Sequence, residues 1–246
     1  MLQSRPSNIP GRKHKIIAVD FSNPFLRAFF AGYPAAHEAR LNEVARSLPG
    51  WADTSRAQER ADAASAGRAP RPLAIVCDID EVILSNIHMN SFSAPAGAQG
   101  PDAVDFHAAD AFGWPRGARL NPLLPGAFDL LVCARKLGLA VFFVTGRLEP
   151  IREETVENLV KVGLAGDSGE KVLRTADLLR PDGPLLMCPE TLYPKLGESI
   201  RPFKEGRRQL IEKTHRIVLN LGDQVSDLGL YGDVQVLSPH PFYYLL

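Results

Sequence analysis

Short, nearly unbroken apolar runs recur through the second two-thirds of the chain. Leu73-Ala74-Ile75-Val76-Cys77, Ala140-Val141-Phe142-Phe143-Val144 and Ile217-Val218-Leu219-Asn220-Leu221 lack the polar alternation of a half-exposed strand. They predict strands buried on both faces. Leu185 to Cys188 and Val234 to Leu237 are shorter strand candidates. Between the runs the period changes to that of a helix. Pro125-Gly126 opens a segment carrying Ala127, Leu130, Leu131, Ala134 and Leu137, and Gly138 stops it. Further helices are expected over about 150–162, with Gly163 as stop, and from Phe203 to His215. Strands alternating with helices predict an α/β fold: a parallel sheet covered on both faces.

The first third has a different texture. Residues 1–15 form a basic leader expected to be mobile, and residues 16–33 are apolar without a single period. From Ala35 to Leu48 the pattern is helical, with Leu41, Val44, Ala45 and Leu48 on one face. Pro49-Gly50 is expected to end that helix. Ser55 and Gln58 fit a capping box for a second, Ala-rich helix running to about Gly67. Ala69 to Pro72 reads as a linker. The expected organisation is therefore a leader and helical subdomain over residues 1–70, packing on a core over 71–246. A variable, cap-like segment lies at about 87–123.

Composition narrows the function classes. The chain has 246 residues, 45% of them hydrophobic and 23% charged, an ordinary globular balance. Lys+Arg and Asp+Glu number 28 each, so the cationic field of a nucleic-acid binder is missing. No apolar run has the length of a membrane span. Cys77, Cys133 and Cys188 are far apart in sequence and lie in apolar runs, which reads as buried thiols in a reducing compartment. Arg12 to Lys15 before Ile16-Ile17-Ala18-Val19 has the look of a signal-peptide start. Asp20 and Arg27 break the stretch, however, and no small-x-small cleavage site follows. A cytoplasmic protein is the expectation, with a secreted or periplasmic one as the alternative.

In a parallel α/β sheet, ligands bind at the carboxyl ends of the strands. Asp78, Ile79 and Asp80 follow the first run. Thr145, Gly146 and Arg147 follow the second. Gly222, Asp223 and Gln224 follow the third, with Asp227 four residues beyond Asp223. Lys204 opens the helix before that last strand. On extended backbone Asp78 and Asp80 point the same way. Crowded carboxylates repel one another and need a cation. A hard ion such as Mg²⁺, bound by one or two carboxylates plus substrate phosphate and water, suits them.

These segments resemble the motifs of the haloacid dehalogenase (HAD) superfamily. Asp78-Ile79-Asp80-Glu81-Val82 is similar to its first motif, Thr145 to its second, Lys204 to its third, and Gly222-Asp223-x-x-x-Asp227 to its fourth. Asn86, Pro125-Gly126-Ala127, Val144-Thr145-Gly146-Arg147 and Asn220 to Leu228 resemble the acid phosphatase branch in particular. That branch includes plant vacuolar acid phosphatases, vegetative storage proteins and bacterial surface acid phosphatases. The resemblance covers about residues 73–230 and implies a HAD-like Rossmannoid sheet with a small helical subdomain.

The resemblance also implies roles. Asp78 is the expected nucleophile and forms an aspartyl-phosphate. Asp80 is the expected acid and then base. Mg²⁺ is held by the Asp78 carboxylate, the Asp80 main-chain carbonyl and Asp223, with Asp227 as a further ligand or support. Asp227 as a plain helix cap is the bland alternative. Thr145, with a nearby amide, and Lys204 are expected on the phosphate. Lys195 and Lys213 are rivals for the lysine. Gly146 stands where Asn is common, which removes one polar contact to substrate, and Val82 stands where Thr is usual. Arg147 is either a substrate contact or a structural ion-pair partner.

The implied activity is a Mg²⁺-dependent phosphomonoesterase acting on a small phosphorylated metabolite: a nucleotide, sugar or aryl phosphate. A phosphotransferase, a non-catalytic storage or binding protein and a receiver-type phospho-aspartate module are the competing readings. Substrate choice is assigned to the 87–123 segment, where His88, Phe92, Phe106, His107, Phe112 and Trp114 either stack a ring or form a local core. Pro241-Phe242-Tyr243-Tyr244 is a candidate for packing or for a homodimer interface.

Overall fold

Leu73–Cys77 (β3) is buried from end to end, at 0–6% exposure, because it lies in the middle of a parallel sheet with neighbours on both edges. Ala140–Leu148 (β4) pairs on one side and Arg216–Gly222 (β6) on the other. Leu185–Cys188 (β5) and Val234–Leu237 (β7) form the edges, giving the order β5-β4-β3-β6-β7. The computed structural model describes residues 3–6, 15–18, 24–85, 121–168, 171–193 and 199–238, with side chains from residue 35 onward. Asn86, the aromatic and histidine cluster between 87 and 120, Lys195 and Pro241 to Tyr244 lie outside the described residues.

Successive residues of β3 serve opposite cores, as the period of two requires. Leu73, Ile75 and Cys77 pack with Leu41 and Leu48 of Pro24–Ser65 (α1), with Leu130 and Leu131 of Ala127–Lys136 (α2), and with Leu159 of Arg152–Lys161 (α3). Ala74 and Val76 face Phe203 and Ile211 of Arg201–Thr214, the last long helix. A short helix that the periodicity does not announce, Thr175–Leu179, precedes β5. With it labelled α4, the last helix is α5. Truncating a wholly buried residue such as Leu41 to Ala removes about 2–5 kcal/mol. Gly126, before α2, has φ +83°, and a Cβ there would meet the Leu41 Cβ at 3.0 Å. Glycine thus permits both the turn and the close approach of α1.

Two N-terminal expectations need correction. The first is the helix break, since α1 continues through Pro49-Gly50. Pro49 has no N–H for the Ala45 carbonyl, one turn back. That carbonyl instead accepts the Cys133 thiol of α2, with the sulfur 3.6 Å away. Ser55 accordingly lies inside the helix and caps nothing; its hydroxyl donates to Asp233 Oδ2 at 2.5 Å. The second is the leader: Gln3–Pro6 (β1) pairs antiparallel with Lys15–Ala18 (β2).

The far end of α1 closes where the sequence places it. Arg68 N–H donates to the Ala63 carbonyl and Gly67 N–H to that of Ala64, a Schellman pattern. The end is stapled to the sheet through Glu59, whose buried carboxylate accepts from Arg71 Nη2 at 2.7 Å and from Arg68 Nη1 at 2.5 Å. The Arg71 hydrogen bond foremost, then Arg68, holds its pKa well below the usual carboxylate range. Arg216, at the start of β6, bonds Asp62 of α1 and Asp233. At the other end of the sheet, Ser85 N–H donates to the Pro122 carbonyl at 2.8 Å and Leu124 N–H to that of Ile83 at 2.9 Å. The segment between Ser85 and Asn121 therefore leaves and returns at adjacent points.

Among the described residues no helix is long and apolar enough to cross a membrane. Cys77 and Cys188 are buried free thiols and Cys133 is half-buried. Burial, then the charge of Asp78, pushes the Cys77 thiol up to about 12, so it stays protonated at neutral pH.

Candidate active site

Parallel register brings the ends of β3 and β6 level, with Cys77 opposite Leu221. Asp78 N–H donates to the Leu221 carbonyl at 2.9 Å and so continues the ladder by one residue. The chain then turns sharply. The Ile79 carbonyl accepts from Ile83 and Leu84, each at 2.9 Å. Glu81, fully buried, is held at φ +58°, a left-handed conformation that costs a non-glycine residue about 1–2 kcal/mol. This turn separates the two aspartates, which extended backbone would have aimed together. Asp78 faces β6 and α5, and Asp80 faces β4.

Asp78 Oδ1 accepts the Ile79 N–H at 2.7 Å, and its Oδ2 accepts Lys204 Nζ at 2.8 Å. Lys204 also donates to Asp227 Oδ1. Asp78, Asp223 and Asp227 are all buried, and one carboxylate oxygen from each lies within 4.8 Å of the other two. Asp227 reaches this position because the residue beside it is Gly222. A Cβ at 222 would lie 1.9 Å from the Asp227 Cβ. Lys213, one rival lysine, is exposed.

The charges do not balance within the cluster. Three carboxylates share one ammonium, away from water. Burial, then Asp227 and Asp80, raise the Asp78 pKa to about 7 against the opposing pull of Lys204. Burial, then Asp227 and Asp78, raise Asp223 well above the usual range. Burial opposes the Lys204 charge, but Asp227 and Asp78 outweigh it and leave its pKa above the ordinary lysine value. An all-oxygen donor set with excess negative charge fits a hard divalent cation.

Asp80 takes no part in the three-acid cluster through its side chain. Its carboxylate is gripped side-on by Arg147, with Nη2 at 2.7 Å from Oδ1 and Nε at 3.1 Å from both oxygens. The expected cation contact of Asp80 runs through its main-chain carbonyl and makes no demand on the side chain. Arg147, 3% exposed, also donates to Thr155 Oγ1 of α3 at 3.2 Å. Here the structure provides an ion-pair partner for Arg147. The strand itself is longer than its apolar run. β4 continues to Leu148, and its pairing with β5 slips between Val144 and Leu148. Thr145, Gly146 and Arg147 therefore lie inside β4, beyond its last residue paired with β3. Thr145 is buried, and its Oγ1 accepts the Arg147 N–H at 3.1 Å.

Three further residues support the site. Gln224 Nε2 donates to Asp223 Oδ2 at 2.8 Å, and Gln224 N–H donates to Asp227 Oδ2 at 3.0 Å. With the reciprocal bond this is a capping box, and the Gln-x-x-Asp spacing was its available signal. Arg208, 1% exposed and one helical turn after Lys204, donates to the carbonyls of Asp227 and Ser226 at 3.0 and 2.9 Å. Thr155 backs Arg147, and nothing in the sequence marks it.

Known proteins resemble this chain in sequence and in fold. The family described as "HAD superfamily, subfamily IIIB (Acid phosphatase)" matches residues 42–246. Acid phosphatase 1 of Solanum lycopersicum is 33% identical over 175 residues, covering 70% of this chain and 58% of that protein. Vegetative storage protein 1 of Arabidopsis thaliana is 28% identical over 172 residues, covering 69% and 54%. The chain thus spans little more than half the length of these relatives. In fold it is similar to the class C acid phosphatase from Bacillus anthracis, with a TM-score of 0.57, 21% identity, and coverage of 86% of this chain and 79% of that one. The same enzyme with tungstate bound gives a TM-score of 0.53 at 20% identity, with the same coverage. With the family match spanning most of the chain and Asp78, Lys204, Asp223 and Asp227 meeting at the carboxyl ends of the central strands, the chain belongs to the acid phosphatase family, subfamily IIIB, of the HAD superfamily.

Proposed function

We propose that the chain hydrolyses small phosphate monoesters with Mg²⁺ bound at the acid cluster. The observation that carries this reading is the convergence of buried Asp78, Asp223 and Asp227 on one point, with Lys204 across Asp78. Asp78, Asp223 and Asp227, together with the Asp80 main-chain carbonyl, would hold the ion. Bound there, it supplies the positive charge that lets an anionic ester approach an anionic nucleophile. Without it, a phosphate dianion 4 Å from Asp78 is opposed by about 8 kcal/mol at an effective dielectric near 20.

Asp78 attacks phosphorus through one carboxylate oxygen, and the ester oxygen departs with a proton from Asp80. The aspartyl-phosphate is then hydrolysed by a water whose proton Asp80 takes back. Lys204 pairs with Asp78 and the phosphate. Thr145 takes phosphate oxygens, with Gly146 leaving space beside it. Arg147 serves the acid rather than the substrate, since Asp80 and Thr155 already engage it.

The test is hydrolysis of an aryl phosphate. A chelator should abolish turnover and Mg²⁺ should restore it. Asp78→Asn should lose about 10³-fold or more with the fold intact. Tungstate, a tetrahedral oxyanion like phosphate, should compete with the ester. Metal-independent hydrolysis, or hydrolysis that survives Asp78→Asn, would overturn the reading. A storage role without turnover predicts inactivity on every ester with cation present.

A further inference from the structure

His37 lies in α1, before the span that matches the family, and is 2% exposed. Its ring joins two parts of the molecule that are distant in sequence. Nε2 is 3.2 Å from the Val82 carbonyl, inside the turn that carries Asp80 and Glu81. Nδ1 is 3.0 Å from Ser238 Oγ, just past β7. The Ser238 N–H in turn donates to the Gly222 carbonyl at 2.8 Å, immediately before Asp223. A carbonyl only accepts, so Nε2 carries the hydrogen. In the neutral ring Nδ1 accepts from the Ser238 hydroxyl. Donor and acceptor are thus both matched, and Val82 and Ser238 are themselves buried.

We propose that His37 is a positioning residue that fixes the spacing between the Asp78–Asp80 turn and the Asp223–Asp227 turn. The acid cluster draws its oxygens from both turns, and one ammonium, Lys204, spans them by pairing with Asp78 and Asp227. The imidazole has no rotor between its two nitrogens, so it couples them rigidly. On this view α1 belongs to the machinery of the site as well as to its core. The kinetic consequence rests on the phosphatase reading; the mechanical one does not.

The experiment is amide hydrogen exchange on the full, metal-free chain, followed by kinetics on an aryl phosphate with Mg²⁺. His37→Leu removes both bonds and should speed exchange in peptides spanning 79–85 and 222–228 about 10-fold or more, with α2 and β5 unchanged. His37→Gln, which keeps a donor and an acceptor, should stay within about threefold of the parent chain. Ser238→Ala should loosen 222–228 alone. In the active enzyme, His37→Leu should lower kcat about tenfold with KM nearly constant, and His37→Gln should restore it. Unchanged exchange at both turns, or a rise spread evenly over the chain, overturns the proposal. Should His37→Leu fail to fold, unchanged exchange at 222–228 in Ser238→Ala overturns it equally. An inactive parent chain defeats the phosphatase reading and leaves the exchange result to stand.

Discussion

Lys204 lies 2.8 Å from Asp78 and also donates to Asp227, so one ammonium serves two of three clustered carboxylates. Because the folded pKa of Asp78 is raised to about 7, the native chain holds a proton there that the unfolded chain releases near pH 4. The stability this contributes is fully present below the unfolded pKa and is lost as pH rises through the folded one. Asp223 acts in the same direction. The metal-free chain should therefore melt at a lower temperature at about pH 8 than at about pH 5. Mg²⁺ should reverse the loss, and metal-free Asp78→Asn should be about 1 kcal/mol more stable than the parent chain near pH 8. Calorimetry across that range checks all three, and a flat profile would contradict them.

Arg147 defines the orientation of Asp80 through two hydrogen-bonding arms, which lysine cannot reproduce. Arg147→Lys should keep the fold and lower kcat by about 10- to 100-fold on an alkyl phosphate, whose leaving oxygen needs a proton. On a nitrophenyl ester, whose leaving group departs unaided, the loss should be several-fold smaller. Equal losses on both esters would show that Arg147 acts elsewhere.

Gly222→Ala places a methyl group where the Asp227 side chain now lies. Asp227 must move, taking with it one carboxylate and the partner of Lys204. We expect a loss of about 1–3 kcal/mol in urea denaturation. Mg²⁺ affinity should also weaken, as measured by calorimetric titration. The same change at Gly206, where a Cβ meets nothing within 4 Å, is the control.

Glu59 gives the opposite pH sign at the other end of the sheet. Its folded pKa is depressed, so its contribution is present above about pH 4.5 and is lost as pH falls. Glu59→Gln should cost on the order of 3 kcal/mol at neutral pH, because Arg71 and Arg68 lose a buried partner. Its melting temperature should then fall less steeply between about pH 5 and pH 3 than that of the parent chain.

Much of this was legible in local pattern. Strands buried on both faces announce themselves as unbroken apolar runs, and Leu41, Val44 and Leu48 mark one helix face because each meets the core. The acids at the ends of β3 and β6 were legible because parallel pairing brings strand ends together. What stayed hidden depends on partners far away in sequence. Pro49 reads as a stop until Cys133 is seen to take up the Ala45 carbonyl. Ser55 reads as a cap until Asp233 is placed beside it. Asp78 and Asp80 read as one pair until the turn at Ile79 parts them, and no spacing rule could join His37 to Val82.

The pinned ends at Ser85 and Pro122 have a consequence for tolerance to insertion. The two points are already held together by hydrogen bonds of the core. Doubling the length of chain joining them would add only about 0.6 kcal/mol of closure entropy. A change in the length of chain joining these two points would thus leave the acids on β3 and β6 in register.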